Sequence, residues 1–232
     1  MKIQIDKKQI IRGFTLVEML VVLVIISVLI GLGASVMRNA TTAQGVSTAV
    51  PIAEGVFNEA RAIAKSRGLH TRVVIPSGAG KDNHEKNFRY LGIVEQDVDA
   101  DGAPLYNGST AVFKDRLSSR GKTLPGKTFF NENLSSPINE ESYKIPGESS
   151  AVQCYYFEFN AEGYLVDTTT SGNGPAGSVV IQSGSMPPNA TKPKELNSNS
   201  RDAGGFAIWK RGNTSVYRSV DQIPSLTGNP TF

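Results

Sequence analysis

Arg12-Gly13-Phe14-Thr15-Leu16-Val17-Glu18 leads directly into residues 19–37, MLVVLVIISVLIGLGASVM, and the reading of this stretch decides the fold. The run carries no charge, and only Ser27, Ser35 and the small positions Gly31, Gly33 and Ala34 interrupt its apolar character. As a helix it extends roughly 28 Å at about 1.5 Å per residue, close to the thickness of a bilayer core. Lys2, Lys7, Lys8 and Arg12 precede it, opposed by Asp6 alone, whereas Arg38 is the one charge between the run and Glu54. That asymmetry predicts a cytoplasmic N-terminus and an exported remainder. One carboxylate, Glu18, stands at the mouth of the apolar run. Placing it there costs a few kcal/mol unless it is paired or held near the interface, so its presence requires a reason.

Two processing fates compete. A basic start, an apolar run and the small pair Gly33 and Ala34 also fit a cleavable secretory signal. Such a signal gives Glu18 no role. The string from Arg12 to Glu18 instead resembles the class III signal of type IV pilins and of the pseudopilins of type II secretion. The resemblance implies that a prepilin peptidase cuts between Gly13 and Phe14, that Phe14 becomes the N-methylated first residue, and that Glu18 becomes the fifth. It implies a single-pass protein of the bacterial inner membrane, with the leader cytoplasmic and the head exported. Its partners are then other pilin subunits, the peptidase and an inner-membrane assembly platform. A new α-amine, with an ordinary pKa of about 7.7 to 8.0, is cationic near pH 7. In the family the glutamate is thought to pair with that amine on a neighbouring subunit, which in a low dielectric is directional enough to set axial register.

Charge agrees with processing. Of 24 basic and 21 acidic residues, 4 and 1 precede Phe14, which leaves 20 of each. The basic pI of the whole chain therefore resides in the leader and does not point to a nucleic-acid partner. Cys154 is the sole cysteine, so no internal disulfide holds the fold.

Beyond the run, residues 38–68 read as an amphipathic continuation of the helix. Pro51 either kinks it or opens a second one. Ile52, Val56, Ala60 and Ile63 share a face flanked by Ala53, Phe57 and Ala64, while Glu54, Asn58, Arg61 and Lys65 are expected to point away. Gly68 is placed to end it. Residues 69–232 read as a β-rich head, with strands expected at 71–75, 89–95, 128–130, 150–159, 164–167, 178–182, 205–210 and 215–220. Residues 168–177 and 184–204 are expected to be mobile loops. The fold class is thus α+β: leader 1–13, packing helix 14–37, its continuation 38–68 lying on an antiparallel sheet, and the head. The string from Phe57 to Gly68 followed by a strand, with Leu124-Pro125-Gly126 and Phe157-Glu158-Phe159-Asn160 further on, resembles the H-type pseudopilin and FimT group.

Catalytic chemistry is hard to assemble from this sequence, and no enzyme is expected. His70 and His84 are the only histidines, and neither has metal-ligand spacing with Cys154. Asp97, Asp99 and Asp101, with Gly102, match the opening of a calcium loop, but its twelfth position is Gly108 rather than a bidentate glutamate. A hairpin turn with Asp101-Gly102 at the tip is the simpler reading. Lys210, Arg211 and Arg218 are the candidate DNA contacts that the FimT resemblance implies, although lysine and arginine also protect exposed strand edges. The leading expectation is an assembly subunit. A ligand-binding surface protein, for DNA or calcium, and a secreted enzyme are the alternatives.

Overall fold

A computed structural model of the chain describes residues 16–78, 85–136, 138–166, 175–188, 190–195 and 203–222, with the backbone alone of residues 29–44 and 195. Among the described residues no helix is long and apolar enough to cross a membrane. The chain divides into two units, Met1–Thr41 and Thr42–Phe232. The second unit, the head, thus takes in the later part of the helix.

Helix α1 spans Leu16–Arg67 with Pro51 inside it, so no second helix opens at the proline. Glu18 lies in its first turn and Lys65 and Arg67 in its last, each placed to oppose the helix dipole. Gly68, at a φ of 65°, turns the chain out of the helix, and the amides of Gly68 and Leu69 both donate to the Ala64 carbonyl at 2.9 and 3.3 Å. In the head, α1 buries Ala49, Val50, Ala53, Val56, Phe57, Ala60 and Ala64, while Ile52 and Ile63 flank the core. The buried stripe is therefore centred on alanines and Phe57, and the isoleucines expected at its centre sit at its margins. Small side chains let a sheet approach the helix axis closely, which moves bulky ones to the flanks. Glu54 and Arg61, expected to face outward, are half-buried for reasons given below.

Two antiparallel sheets pack on this stripe. The first runs β5 (Lys122–Thr123), β2 (Tyr90–Glu95), β1 (Thr71–Pro76), β8 (Val152–Phe159), β7 (Asn139–Tyr143). The second runs β10 (Lys194–Glu195), β9 (Gly177–Ser185), β11 (Ala203–Ile208), β12 (Thr214–Tyr217), with β6 (Thr128–Phe130) also on β9. A small hairpin joins β3 (Tyr106–Asn107) to β4 (Thr110–Ala111). On β1 and β8 side chains alternate between the two faces. Val73, Ile75, Phe157 and Phe159 enter the core beneath α1, while Val74 and Cys154 join Val94, Tyr143, Ile145 and Val152 on the opposite face. Thr71 ties the first sheet to the helix through Oγ1, which donates to the Ala60 carbonyl at 2.9 Å.

Most expected strands are present, several with altered bounds. The one expected at 164–167 reduces to an isolated bridge between Phe159 and Leu165. The stretches read as loops are partly ordered: β9 includes Gly177 and continues to Ser185, β10 lies at Lys194–Glu195, and β11 begins at Ala203. Strand β7 escaped the periodicity because its Glu140, Glu141 and Ser142 are all exposed, as befits a sheet edge.

Candidate functional site

Gly13 and Phe14 lie outside the described residues, and the candidate assembly site is visible from Leu16 onward. Every residue from 16 to 28 is exposed, including Leu16 at 83% and Val28 at 58%. This segment of α1 is apolar around its whole circumference, apart from Glu18 and Ser27. Ser27 Oγ donates to the Leu23 carbonyl at 2.8 Å, so its hydroxyl is satisfied within the helix without water. A helix that is greasy on all sides is stable only when lipid or other helices cover it. Leu20 and Val24 belong to this exposed surface.

Residues 10–34 match the prokaryotic N-terminal methylation motif. The methylation motif is typical of type IV pilin-like proteins processed by prepilin peptidase, and it covers Gly13, Phe14 and Glu18 together with the exposed apolar turns. This end of the chain is therefore pilin-like. No curated protein and no solved structure matches the chain.

Away from the methylation motif, the acidic string at 97–101 forms the tight hairpin that the simpler reading anticipated. Asp99 Oδ1 accepts the amides of Asp101 and Ala103 at 3.0 and 2.8 Å, and the Gly102 amide donates to the Asp99 carbonyl at 3.1 Å. Asp97 Oδ1 accepts the Val98 amide at 3.0 Å. Two of the three candidate calcium ligands thus hold backbone donors. Among the described residues no three His, Cys, Asp or Glu side chains gather as a metal-holding group. His84 lies outside the described residues.

The basic candidates separate. Lys210 and Arg211 are exposed in the turn between β11 and β12, whereas Arg218 follows the far end of β12. The structure instead brings two helix residues to that turn: the Gly212 backbone runs against Arg61, and the Gly163 backbone against Lys65. Arg61 Nε is enclosed with no hydrogen-bond acceptor among the described residues. Sequence reasoning set Arg61 and Lys65 aside as an outward helix face. Only the return of two glycine turns to the end of α1 reveals the cluster. Glu54 is likewise recruited and accepts the Thr214 hydroxyl at 2.6 Å.

A charged network inside the head was also missed. Arg72 on β1 lies between the rings of Phe113 and Tyr156, at 3.8 and 3.9 Å from their centroids. Its Nε donates to Glu158 at 2.8 Å, and one terminal nitrogen reaches Tyr143 Oη at 2.6 Å and the Glu141 carboxylate. His70 Nδ1 lies 2.8 Å from the other Glu158 oxygen; an ionised carboxylate only accepts, so Nδ1 carries the proton. Burial works to raise the Glu158 carboxyl, but His70 and Arg72 outweigh it and hold it below the ordinary range. Burial likewise opposes the Arg72 charge, and Tyr143 and Glu158 outweigh it so that the guanidinium stays protonated.

The network has a pH signature. A carboxyl held lower in the folded state stabilises it above the unfolded pKa, about 4.3, and loses that contribution as pH falls through the folded value. Thermal melts of the head are expected to drop between about pH 5 and pH 3. Glu158→Gln is expected to cost on the order of 2 kcal/mol at pH 7 and to flatten that acid limb. An unchanged acid limb in the variant would assign the pH dependence to other carboxylates.

Proposed function

We propose that the protein is a minor pilin or pseudopilin subunit, cleaved after Gly13, methylated at Phe14, anchored by its N-terminal helix in the inner membrane and assembled with other pilin subunits through that helix. The observation that carries the reading is the methylation motif at residues 10–34, within which the described apolar side chains of α1, those of residues 16–28, are all exposed. The uncharged run 19–37 supports the anchor, and the Gly31 and Ala34 positions favour close helix packing. An α+β head of helix and antiparallel sheets suits the H-type pseudopilin group that the sequence resembles. The role requires no catalysis: the subunit contributes shape, an apolar helix and one carboxylate.

Intact-mass analysis of protein recovered from membranes tests the reading. The expected species begins at Phe14, carries one added methyl group and retains the apolar helix. A start near Ser35 would replace this reading with an ordinary secreted protein.

A second reading, nucleic-acid contact by a minor pilin, draws on the corner where Arg61 and Lys65 join Lys210 and Arg211. None of the four makes an ion pair with a described residue. A salt-sensitive mobility shift with duplex DNA, reduced in a Lys210→Ala/Arg211→Ala variant, is its expected signature. No shift at low salt retires it.

A further inference from the structure

Phe129 and Phe130 on β6, Phe88 beside them and Gly184 on β9 line a cavity of about 70 Å³, apart from both the Arg72 network and the basic corner. Phe88 has a φ of 59°, which bulky residues rarely adopt. Its amide donates to the Pro76 carbonyl and its carbonyl accepts the Phe130 amide, each at 2.7 Å, which holds the ring at the cavity wall. Gly184 leaves space beside the Phe129 ring, which an added Cβ would meet at 3.2 Å.

One carboxylate lines this aromatic cavity, that of Glu132. Asn131 Oδ1 accepts the amides of Asn133 and Leu134 at 2.9 and 3.1 Å, and Ser135 Oγ donates to the Asn131 carbonyl at 2.6 Å, so Glu132 sits in a closed turn. Asn131 Nδ2 ties that turn to β9 by donating to Gln182 Oε1 at 2.5 Å. Glu132 Oε2 accepts the Tyr155 hydroxyl, and the Tyr155 ring lies 5.9 and 6.0 Å from those of Phe88 and Phe130. The other oxygen, Oε1, pairs with the Lys192 ammonium in the turn before β10. The two partners differ in how firmly they are held: the Glu132 side chain is 14% exposed and the Lys192 side chain 63%. The acceptor is fixed, whereas an exposed lysine on a flexible stem gains little from such a pair and exchanges readily.

We propose that this cavity is a binding site for a primary alkylammonium group: Phe88, Phe129 and Phe130 take the methylene stem, Glu132 takes the charge, and Lys192 is the internal group that the ligand displaces. Aromatic faces beside a carboxylate favour a cation over an anion or a neutral polar group. A water-sized group needs roughly 10–15 Å³, so the cavity takes about five of them, the size of a butylammonium ion. Lys192 shows that the chain's own geometry accepts this chemistry. It also weakens any outside ligand, because apparent affinity falls by the fraction of time that the site stands empty. The ammonium can come from a free amine or from a lysine side chain of a partner protein.

Titration of the full chain in nonionic detergent with n-butylammonium chloride tests the site, read from the side-chain amide NMR signals of Asn131 and Gln182. Lys192→Ala is expected to bind n-butylammonium at least about tenfold more tightly than the native chain. In that variant n-butanol, which matches the stem without the charge, is expected to bind at least about tenfold more weakly than n-butylammonium. Glu132→Gln, which keeps an acceptor for Tyr155, is expected to abolish the difference between the two probes. Binding of lysine blocked at both its amino and carboxyl ends assigns the site to a partner's side chain, and binding of n-butylammonium alone assigns it to a free amine. Equal affinities for the amine and the alcohol overturn the proposal without recourse to any variant that folds poorly. Equal affinities of the native chain and Lys192→Ala for n-butylammonium, or no binding to either, overturn it as well.

Discussion

A Glu18→Ala precursor is expected to be cleaved and methylated normally yet to be missing from filaments, with incorporation reduced at least about tenfold, because removing one member of a desolvated pair strands the other charge. The substitution does not weaken the helix, since alanine is the strongest helix former and Glu18 is exposed in the first turn of α1. On the proposed reading, what it removes is the group that answers the cationic amine of an incoming subunit. Glu18→Gln separates charge from shape: it keeps hydrogen-bonding capacity and side-chain size, and is expected to fail as alanine does. Immunoblots that resolve precursor from mature protein, made on membranes and on sheared filaments, read both steps. Mature Glu18→Ala protein at wild-type level in the sheared fraction would end the pairing argument while leaving the cleavage reading intact.

The contrast between the two ends of the chain explains how much of this protein was legible in its sequence. The N-terminal site is written locally: an apolar run, one carboxylate and a glycine-phenylalanine junction lie within residues 12–37, and no tertiary contact is needed to see them. Strands β1 and β8 were legible for a related reason, since both are apolar enough that alternation or composition marks them. The Arg72 network was not, because Glu158 sits between Phe157 and Phe159 in a pattern that reads equally well as a solvated position. Its burial depends on residues as distant as Arg72 and Tyr143 arriving on the same face. The basic corner was hidden in the same way, because its members are far apart in sequence: Arg61 lies on α1, and Arg211 lies between β11 and β12. For the helix, periodicity found the correct face but misplaced its centre by about one residue, because periodicity weighs hydrophobicity and the sheet selects for small size. That difference is what makes Phe57 exceptional among the alanines.

Phe57→Ala is expected to destabilise the head by about 3–5 kcal/mol, a large part of the 5–15 kcal/mol that holds a typical domain. Phe57 is completely buried, and its ring meets Phe157 at 5.2 Å and Phe159 at 6.3 Å on the first sheet and Phe206 at 5.1 Å on the second. One side chain therefore joins the helix to both sheets, with edge-to-face contacts that add to its area burial. Neighbouring Ala53, Ala60 and Ala64 cannot close the void, because they are already the smallest side chains that keep the helix against the sheets. No disulfide limits the unfolded state of a chain with one cysteine. The loss is expected as a lower denaturation midpoint with an unchanged slope. Phe57→Leu is expected to recover more than half of it. A cost below about 1 kcal/mol for Phe57→Ala would mean that the two sheets hold together without the helix. Because the cleavage site and Glu18 lie in the other unit of the chain, the variant is expected to be processed to its mature form and then lost to proteolysis, the reverse of the Glu18→Ala phenotype, in which a stable mature subunit accumulates without assembling.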